Sequence, residues 1–440
     1  MTSNSSSLNL WPAPTPAAGT TLDATVVVPG SKSLTNRYLV LAALADAPSI
    51  LRGTLRSRDS ELMIAALKQL GARIEEGSEE GEFHITPITV GADVGTVTID
   101  CGLAGTVMRF IPAVAALVRG RITIDGDEGA RVRPMKPILD GLRELGVDIE
   151  DTSNGFLPFT INATGSVRGG AIEVDASGSS QFVSGLLLAA SLFENGVSLR
   201  HVGESLPSLP HVDMTVHVLQ EAGVAVAQPD STSWEVSAAP VRAQDVQVEP
   251  DLSNATPFLA AALVLGGTVR VPAWPTETTQ PGALAPEIFE QMGAHATLEN
   301  SVLSITGTGT IKGLGLLDLS AAGELAPTFA ALAALADSPT QISGIAHLRG
   351  HETDRLAALT AELNRIGGQC TETPDGLSIE PAKLHGGQFH TYHDHRMATA
   401  GAILGLQTEG ILVENIATTA KTLPGFDAMW SQMLTQVVTA

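Results

Sequence analysis

The sequence predicts an α/β protein of two lobes, each made of three repeated βαβαββ-like units packed around buried helices. Three observations predict it. First, a helix of small and apolar residues, opened by a polar or charged cluster, recurs six times. Its openings lie near Ser33, Gly105, Ser180, Asn254, Leu325 and Arg396, at intervals of 72, 75, 74, 71 and 71 residues. Second, an amphipathic helix running into a glycine recurs in step, at Leu67–Gly71, Leu142–Gly146, Leu219–Gly223, Phe289–Gly293 and Leu363–Gly367. Third, the stretch after such a glycine alternates, as in Ala72-Arg73-Ile74-Glu75 and Val147-Asp148-Ile149-Glu150. Period two is the mark of a half-buried strand.

Each unit therefore reads as strand, small-residue helix, strand, amphipathic helix, strand. The first helix, for example Phe182 to Leu192 or Phe258 to Leu265, is apolar on nearly every face, so it is buried. The second is two-faced and stops at the residue suited to a left-handed C-cap. A repeat of 71 to 75 residues exceeds the roughly 20–50 of common solenoids and is long enough to be a small αβ fold. A chain of 440 residues also exceeds one hydrophobic core. The expected division is a flexible N-terminal tail over 1–20, a lobe over 31–249, and a second lobe of 21–30 plus 250–440. The sixth helix-plus-glycine mark falls beyond the end. Instead Gly425 to Gln436 reads as a final helix with no strand after it, and a strand at Thr21 to Val28 is placed to complete that sixth unit. Both termini then belong to one lobe, and the chain crosses between lobes near Gly30 and near Glu249-Pro250.

Composition narrows the function. Hydrophobic content of 44% with 16% charged residues is that of a globular protein. No apolar run approaches the roughly 18–20 residues of a membrane helix. The first 20 residues carry no basic residue, unlike a secretory signal. Two cysteines, Cys101 and Cys370, make no disulfide framework and point to the cytosol. A net charge of −22 disfavours nucleic acid and anionic membranes as partners. Anionic small molecules remain compatible, because a cleft can be locally basic.

The helix openings say where that basic character lies. A helix N-terminus offers unpaired N–H groups and the positive end of the dipole. If the buried helices of both lobes aim their N-termini at one cleft, the cleft is positive despite the net charge. The openings carry Ser31-Lys32-Ser33, Gly105-Thr106 with Arg109, Ser179-Ser180-Gln181 and His395-Arg396. The loops before the amphipathic helices add Arg131, Arg133, Ser208, His351-Glu352 with Arg355, and Lys421. Arg, Lys and Ser hydroxyls are the usual binders of phosphate and carboxylate. Taken alone, Gly30-Ser31-Lys32-Ser33 and Ser179-Ser180 are plain N-caps, and Arg131 and Arg133 are solvated. His393-Asp394-His395 lacks a third ligand spaced for a metal. Recurrence at the same place in successive repeats is what singles these residues out.

Gly30-Ser31-Lys32-Ser33 with Asn36-Arg37, Ala104-Gly105-Thr106 with Met108-Arg109, Arg133-Pro134-Met135, Ser179-Ser180-Gln181-Phe182, Glu352-Thr353-Asp354-Arg355, Asp394-His395-Arg396-Met397 and Ala420-Lys421-Thr422 together resemble the 5-enolpyruvylshikimate-3-phosphate synthases. The resemblance runs from about residue 22 to the end. It implies an inside-out α/β fold of the enolpyruvyl transferase type, and an activity in aromatic amino-acid biosynthesis by the shikimate pathway. That activity is transfer of the enolpyruvyl group of phosphoenolpyruvate (PEP) to the 5-hydroxyl of shikimate 3-phosphate, with release of phosphate. Carried over by motif, the resemblance gives shikimate 3-phosphate to Lys32, Ser33, Arg37, Ser179, Ser180, Gln181, Ser208, Glu324 and His351. It gives PEP to Lys32, Gly105, Arg109, Arg133, Gln181, Arg355, Arg396 and Lys421. Arg131 competes with Arg133, two residues away in the local alignment. An added methyl at Gly105 is expected to obstruct PEP.

The chemistry protonates the methylene carbon of PEP, so that the hydroxyl attacks a cationic C2. The tetrahedral adduct then loses phosphate. That requires an acid near the methylene and a base near the hydroxyl. Glu352 is the candidate acid and Glu324 the candidate base, with Lys32 a partner in proton traffic and His351 beside them. A proton-donating carboxyl has to hold its proton, and cationic surroundings oppose that. No cofactor, redox step or metal Lewis acid is required, because the Arg/Lys set can stabilise the charges. A monomeric, cytoplasmic enzyme with small-molecule substrates is expected.

Several positions depart from the familiar pattern. His351 stands where lysine is common, Glu324 where aspartate is usual, and His211 and His347 where tyrosine and asparagine are often found. Leu103 replaces an asparagine and Phe110 a proline. The competing readings are a UDP-N-acetylglucosamine enolpyruvyl transferase and a non-catalytic phosphosugar-binding protein. Against the first stands the lack of a cysteine on the loop from Gly126 to Arg133. Against the second stand both candidate carboxyls. An RNA 3′-phosphate cyclase, which has a related repeat, is disfavoured by the net charge.

Overall fold

The computed structural model describes residues 9–438. The described residues divide into two compact units: Pro29–Pro250, and residues 9–28 together with 251–438. Each has its own hydrophobic core.

In Pro29–Pro250 three four-stranded sheets share one plan: a parallel pair followed by two antiparallel strands. In the second repeat Asp93–Asp100 runs parallel to Arg119–Asp125, with Phe159–Thr164 and Asp148–Glu150 antiparallel beyond it. The third repeats this with Gly170–Val174, Val197–His201, Ser233–Val236 and Val226–Asp230. In the first, the strand parallel to Ser49–Arg52 is Asp245–Gln247, from the far end of the unit. The last segment thus closes the first repeat. Close by, Gly30 bridges Pro250 and the Ser31 N–H donates to the Glu249 carbonyl at 2.7 Å.

The other unit builds the same βαβαββ plan and borrows strands from the N-terminus. Gly315–Asp318 and Thr340–Ser343 form its complete middle sheet with Leu377–Glu380 and Gln369–Glu372. Thr21–Thr25 pairs in parallel with Gly267–Pro272, so it completes the fourth repeat and not the sixth. The sixth is instead extended by Leu10–Pro12, antiparallel to Ile411–Glu414. Residues 10–12 are therefore sheet, where the sequence suggests a flexible tail; residues 1–8 of that expected tail lie outside the described residues. A short strand, Val437–Val438, does follow the final helix Phe426–Thr435 and pairs with Thr21-Leu22. These closing strands are too short to show a period of their own.

The six small-residue helices are Lys32–Leu44, Gly105–Ala115, Gln181–Ala190, Leu252–Leu265, Ala326–Ala334 and His395–Gly405, and they are buried along almost their whole length. Small residues let them touch. A Cβ on Gly185 would stand 2.2 Å from the carbonyl oxygen of Arg109, so only glycine permits that approach. This contact joins the Gly105 and Gln181 helices one turn in from their N-termini. The five glycines that end amphipathic helices, from Gly71 to Gly367, all have positive φ, the C-cap conformation expected from their position.

Candidate functional site

In Pro29–Pro250 the predicted residues meet around Gly105. A Cβ there would lie 2.9 Å from Gln181 Oε1, 3.0 Å from Arg109 Nη1 and 3.1 Å from Arg133 Nη2. Arg109 is buried, lies over the Phe182 ring and donates to Gln181 Oε1 at 3.2 Å. Arg133 donates from Nη1 to the Leu103 carbonyl at 3.1 Å, and its buried Nε has no protein partner. The acceptor is backbone, so this contact does not depend on the side chain at 103. Arg131 goes elsewhere. It is half exposed and grips Asp125 with two bonds of 2.9 and 2.7 Å, which hold the Asp125 carboxyl below its ordinary range. The structure thus brings Arg133, not Arg131, to Gly105.

At the opening of the Lys32 helix, Ser31 caps the first turn through Leu34 N–H. Lys32 Nζ lies 3.3 Å from the buried carboxylate of Asp59. Asp59 was not singled out in the sequence, where it reads as an acid suited to the first turn of an amphipathic helix. Arg37 is buried and fully engaged with its own unit. It donates to Thr215 Oγ1 at 2.8 Å, the Ser33 carbonyl at 2.9 Å and the His211 carbonyl at 2.8 Å. Its guanidinium lies 5.3 Å from the Phe110 ring centroid, which gives the Phe110 departure a cation–π role. Burial pulls Arg37 down to about 9. The His211 contact to Arg37 is made by the backbone carbonyl.

Ser179 and Ser180 open the Gln181 helix. Ser180 is the N-cap, yet Ser179 Oγ takes the Gln181 N–H at 3.3 Å. Ser208, on the loop before the Pro210–Glu221 helix, has φ +51°, a conformation costing a non-glycine residue of order 1 kcal/mol.

The second unit gathers most of its predicted residues around Glu352. Arg355 Nη2 donates to Glu352 Oε2 at 3.1 Å, and Lys421 Nζ bonds Glu352 Oε1. Arg355 Nη1 donates to His351 Nδ1 at 3.3 Å. A guanidinium can only donate, so that nitrogen carries no proton in this arrangement. The His347 ring meets His351 edge-on, with centroids 5.7 Å apart. Asp394 organises the group: its carboxylate holds Arg355 at 2.7 and 3.2 Å and caps the His395 helix through Arg396 N–H at 2.8 Å. Burial opposes the charge on Arg355, but Asp394 and Glu352 outweigh it and raise its pKa. Burial wins at Arg396, whose pKa is lowered, and likewise drives His395 well below its ordinary value. Glu324 sits in a 3-10 turn, Gly323–Leu325, and accepts from Ser253 Oγ at 3.1 Å, while Arg396 donates to the Ser253 carbonyl at 3.0 Å. Asp394 and Ser253 were missed as site residues. Asp394 lies inside the Asp394-His395-Arg396-Met397 motif, but only the fold shows which arginine it holds.

Each unit thus presents cationic side chains beside hydroxyls and carboxylates, a chemistry suited to phosphate and carboxylate ligands and to proton transfer. Among the described residues no group of three or more His, Cys, Asp or Glu side chains is arranged to hold a metal ion. No helix among them is long and apolar enough to cross a membrane.

Comparison with known proteins agrees with this chemistry. Residues 16–430 match the family described as EPSP synthase (3-phosphoshikimate 1-carboxyvinyltransferase). A 3-phosphoshikimate 1-carboxyvinyltransferase of Kocuria rhizophila is 58% identical over 432 residues, covering 97% of each chain. Among solved structures, an EPSP synthase from Acinetobacter baumannii superposes with a TM-score of 0.78 at 26% identity, covering 95% of this chain and 97% of the other. The enolpyruvyl transferase NikO from Streptomyces tendae shares the fold, with a TM-score of 0.73 at 17% identity over 94% of this chain and 96% of its own. With the repeat architecture, the Gly105 cluster and a match along nearly its whole length, the chain belongs to the EPSP synthase family.

Proposed function

We propose that this chain transfers the enolpyruvyl group of PEP to the 5-hydroxyl of shikimate 3-phosphate, yielding 5-enolpyruvylshikimate 3-phosphate and inorganic phosphate. The observation that carries this reading is the 58% identity to a 3-phosphoshikimate 1-carboxyvinyltransferase over 97% of both chains. The Gly105 cluster is its physical counterpart: a backbone position without a side chain, ringed by two guanidinium groups and an amide.

In this reading Arg109, Arg133, Gln181, Lys32, Arg355, Arg396 and Lys421 bind the phosphate and carboxylate of PEP. Ser33, Arg37, Ser179, Ser180, Gln181 and Ser208 hold shikimate 3-phosphate, with Glu324, His351 and Lys32 at its reacting end. Arg37 contributes chiefly by fixing the Lys32 helix to the helices carrying Ser184 and His211, since its own hydrogen bonds go to protein. Glu352 gives a proton to the methylene carbon of PEP. Glu324 takes the proton of the attacking 5-hydroxyl. The adduct then returns a methyl proton to Glu352 as its C–O bond to phosphate breaks, and the hydroxyl proton held by Glu324 leaves on the phosphate, which departs as hydrogen phosphate. No net proton is consumed at Glu352. Substrate oxyanions draw Arg355 and Lys421 away from Glu352, and the incoming negative charge favours its protonated form. Arg and Lys donors stabilise the charge on the departing phosphate.

Gly105→Ala tests the cradle. The added methyl pushes against three polar side-chain ends, all flexible, so the protein folds while the PEP site is crowded. Overpacking costs about 1–3 kcal/mol, so the KM for PEP should rise roughly 5- to 150-fold, with the KM for shikimate 3-phosphate within a few-fold. An unchanged KM for PEP would place PEP away from Gly105. The activity itself is tested by phosphorus NMR of PEP mixed with shikimate 3-phosphate and the protein. Loss of the PEP resonance should match the growth of inorganic phosphate and of a new phosphomonoester.

We further propose a monomer that acts in the cytoplasm on small molecules and not on nucleic acid. The net charge of −22 repels polyanions, and two buried free cysteines suit a reducing compartment.

A further inference from the structure

His201 ends the strand Val197–His201 and is 6% exposed. Two backbone N–H groups point at its Nδ1: that of Ala176 at 3.1 Å and that of Gly203 at 3.4 Å. The Val174 carbonyl lies 3.3 Å from the same nitrogen, but it has the Val202 N–H as a donor, whereas a proton on Nδ1 would cost both N–H groups this acceptor. Two donors aimed at one nitrogen make Nδ1 an acceptor and put the ring proton on Nε2, which is buried without a protein partner.

Those two N–H groups belong to two loops. Ala176 opens the turn leading to Ser179, and Gly203 begins the loop leading to Ser208. The loops are in tight contact, since a Cβ on Gly203 would stand 2.0 Å from Ser177 Oγ and 2.2 Å from Asp175 Oδ1. The first loop relays its position onward. The carbonyl of Ala176 accepts from Ser179 N–H at 3.0 Å. Ser179 Oγ accepts from Gln181 N–H at 3.3 Å, and Gln181 Oε1 accepts from Arg109 at 3.2 Å.

We infer that His201 is a positioning residue for shikimate 3-phosphate: its Nδ1 acts as a shared acceptor that locks the Ser179–Ser180 loop to the loop carrying Ser208. This rests on the reading that those serines bind that substrate. An unpaired buried N–H is costly to leave, so losing the acceptor releases both loops at once.

Asparagine places its Oδ1 where Nδ1 stands, without the ring. Glutamine carries its acceptor one bond further out, at the position of Nε2. His201→Asn should keep the KM for shikimate 3-phosphate within about twofold of wild type. His201→Gln and His201→Leu should raise it about tenfold, a change equal to about 1.4 kcal/mol, with kcat within about threefold. Thermal unfolding of each variant reports general damage separately. If Leu does not fold, the Asn–Gln pair still decides, because both are polar and only one reaches. Equal KM values for Asn and Gln would overturn the proposal, as would a folded His201→Leu protein with wild-type KM. Calorimetric titration of the wild-type protein with shikimate 3-phosphate separates the two levels. No binding there would sink the functional reading and this inference with it; wild-type binding with indifferent variants would sink this inference alone.

Discussion

Arg133→Ala should raise the KM for PEP by roughly 30- to several-thousand-fold, while Arg131→Ala leaves it within a few-fold. The two residues are the same type, two positions apart, and only the fold distinguishes them. Arg133 stands against Gly105 with one nitrogen tied to the Leu103 carbonyl and a buried Nε that no protein group meets. Arg131 spends its guanidinium on Asp125 at the surface. Removing one member of a buried, charge-assisted contact costs about 2–5 kcal/mol, which gives the range stated. An exposed ion pair contributes about 0–1 kcal/mol, and this one does not involve the ligand. Steady-state kinetics with PEP varied at saturating acceptor check both variants. The reverse ranking would move the PEP anion site to the Asp125 side of the loop.

Glu352→Gln should lower kcat by about 100- to 10,000-fold, the usual range for loss of general acid–base catalysis, with both KM values changed only a few-fold. Glutamine retains one oxygen to accept from Arg355 or Lys421, and the other cation, which loses its acceptor there, is left to the substrate anion. It cannot deliver a proton to carbon. In this structure Glu352 accepts from both cations, which marks it as a carboxylate there. The proposed role therefore requires both cations to turn toward substrate first. A variant that keeps wild-type kcat would remove Glu352 from proton transfer and leave it as a support for Arg355 and Lys421. Rapid-quench kinetics, read alongside kcat, reports whether the slowed step is formation of the tetrahedral adduct.

Much of this was legible in the sequence because the repeats carry their own period. Small-residue helices, glycine stops and alternating strands are local patterns, and five of the glycines landed in the left-handed C-cap that their position demanded. The strands that close the sheets were not legible. Leu10–Pro12, Asp245–Gln247 and Val437–Val438 span two or three residues each, too few for any periodicity, and their partners lie far away in sequence. Thr21–Thr25 was recognised as a strand but given to the wrong repeat, since pairing with Gly267–Pro272 is a tertiary fact. At the site, cations and hydroxyls stood out because they recur at helix openings. Their buried partners did not. Asp59 and Asp394 look in sequence like helix-start acids, and only packing shows them holding Lys32 and Arg355. The choice between Arg131 and Arg133 was closed to sequence for the same reason.

The most direct test is the rate of inorganic phosphate release from PEP with each acceptor supplied alone. Shikimate 3-phosphate should support continuous release, and UDP-N-acetylglucosamine should give none above the rate with PEP by itself. Release with UDP-N-acetylglucosamine alone would contradict the proposed acceptor. Binding of shikimate 3-phosphate with no release would contradict catalysis itself.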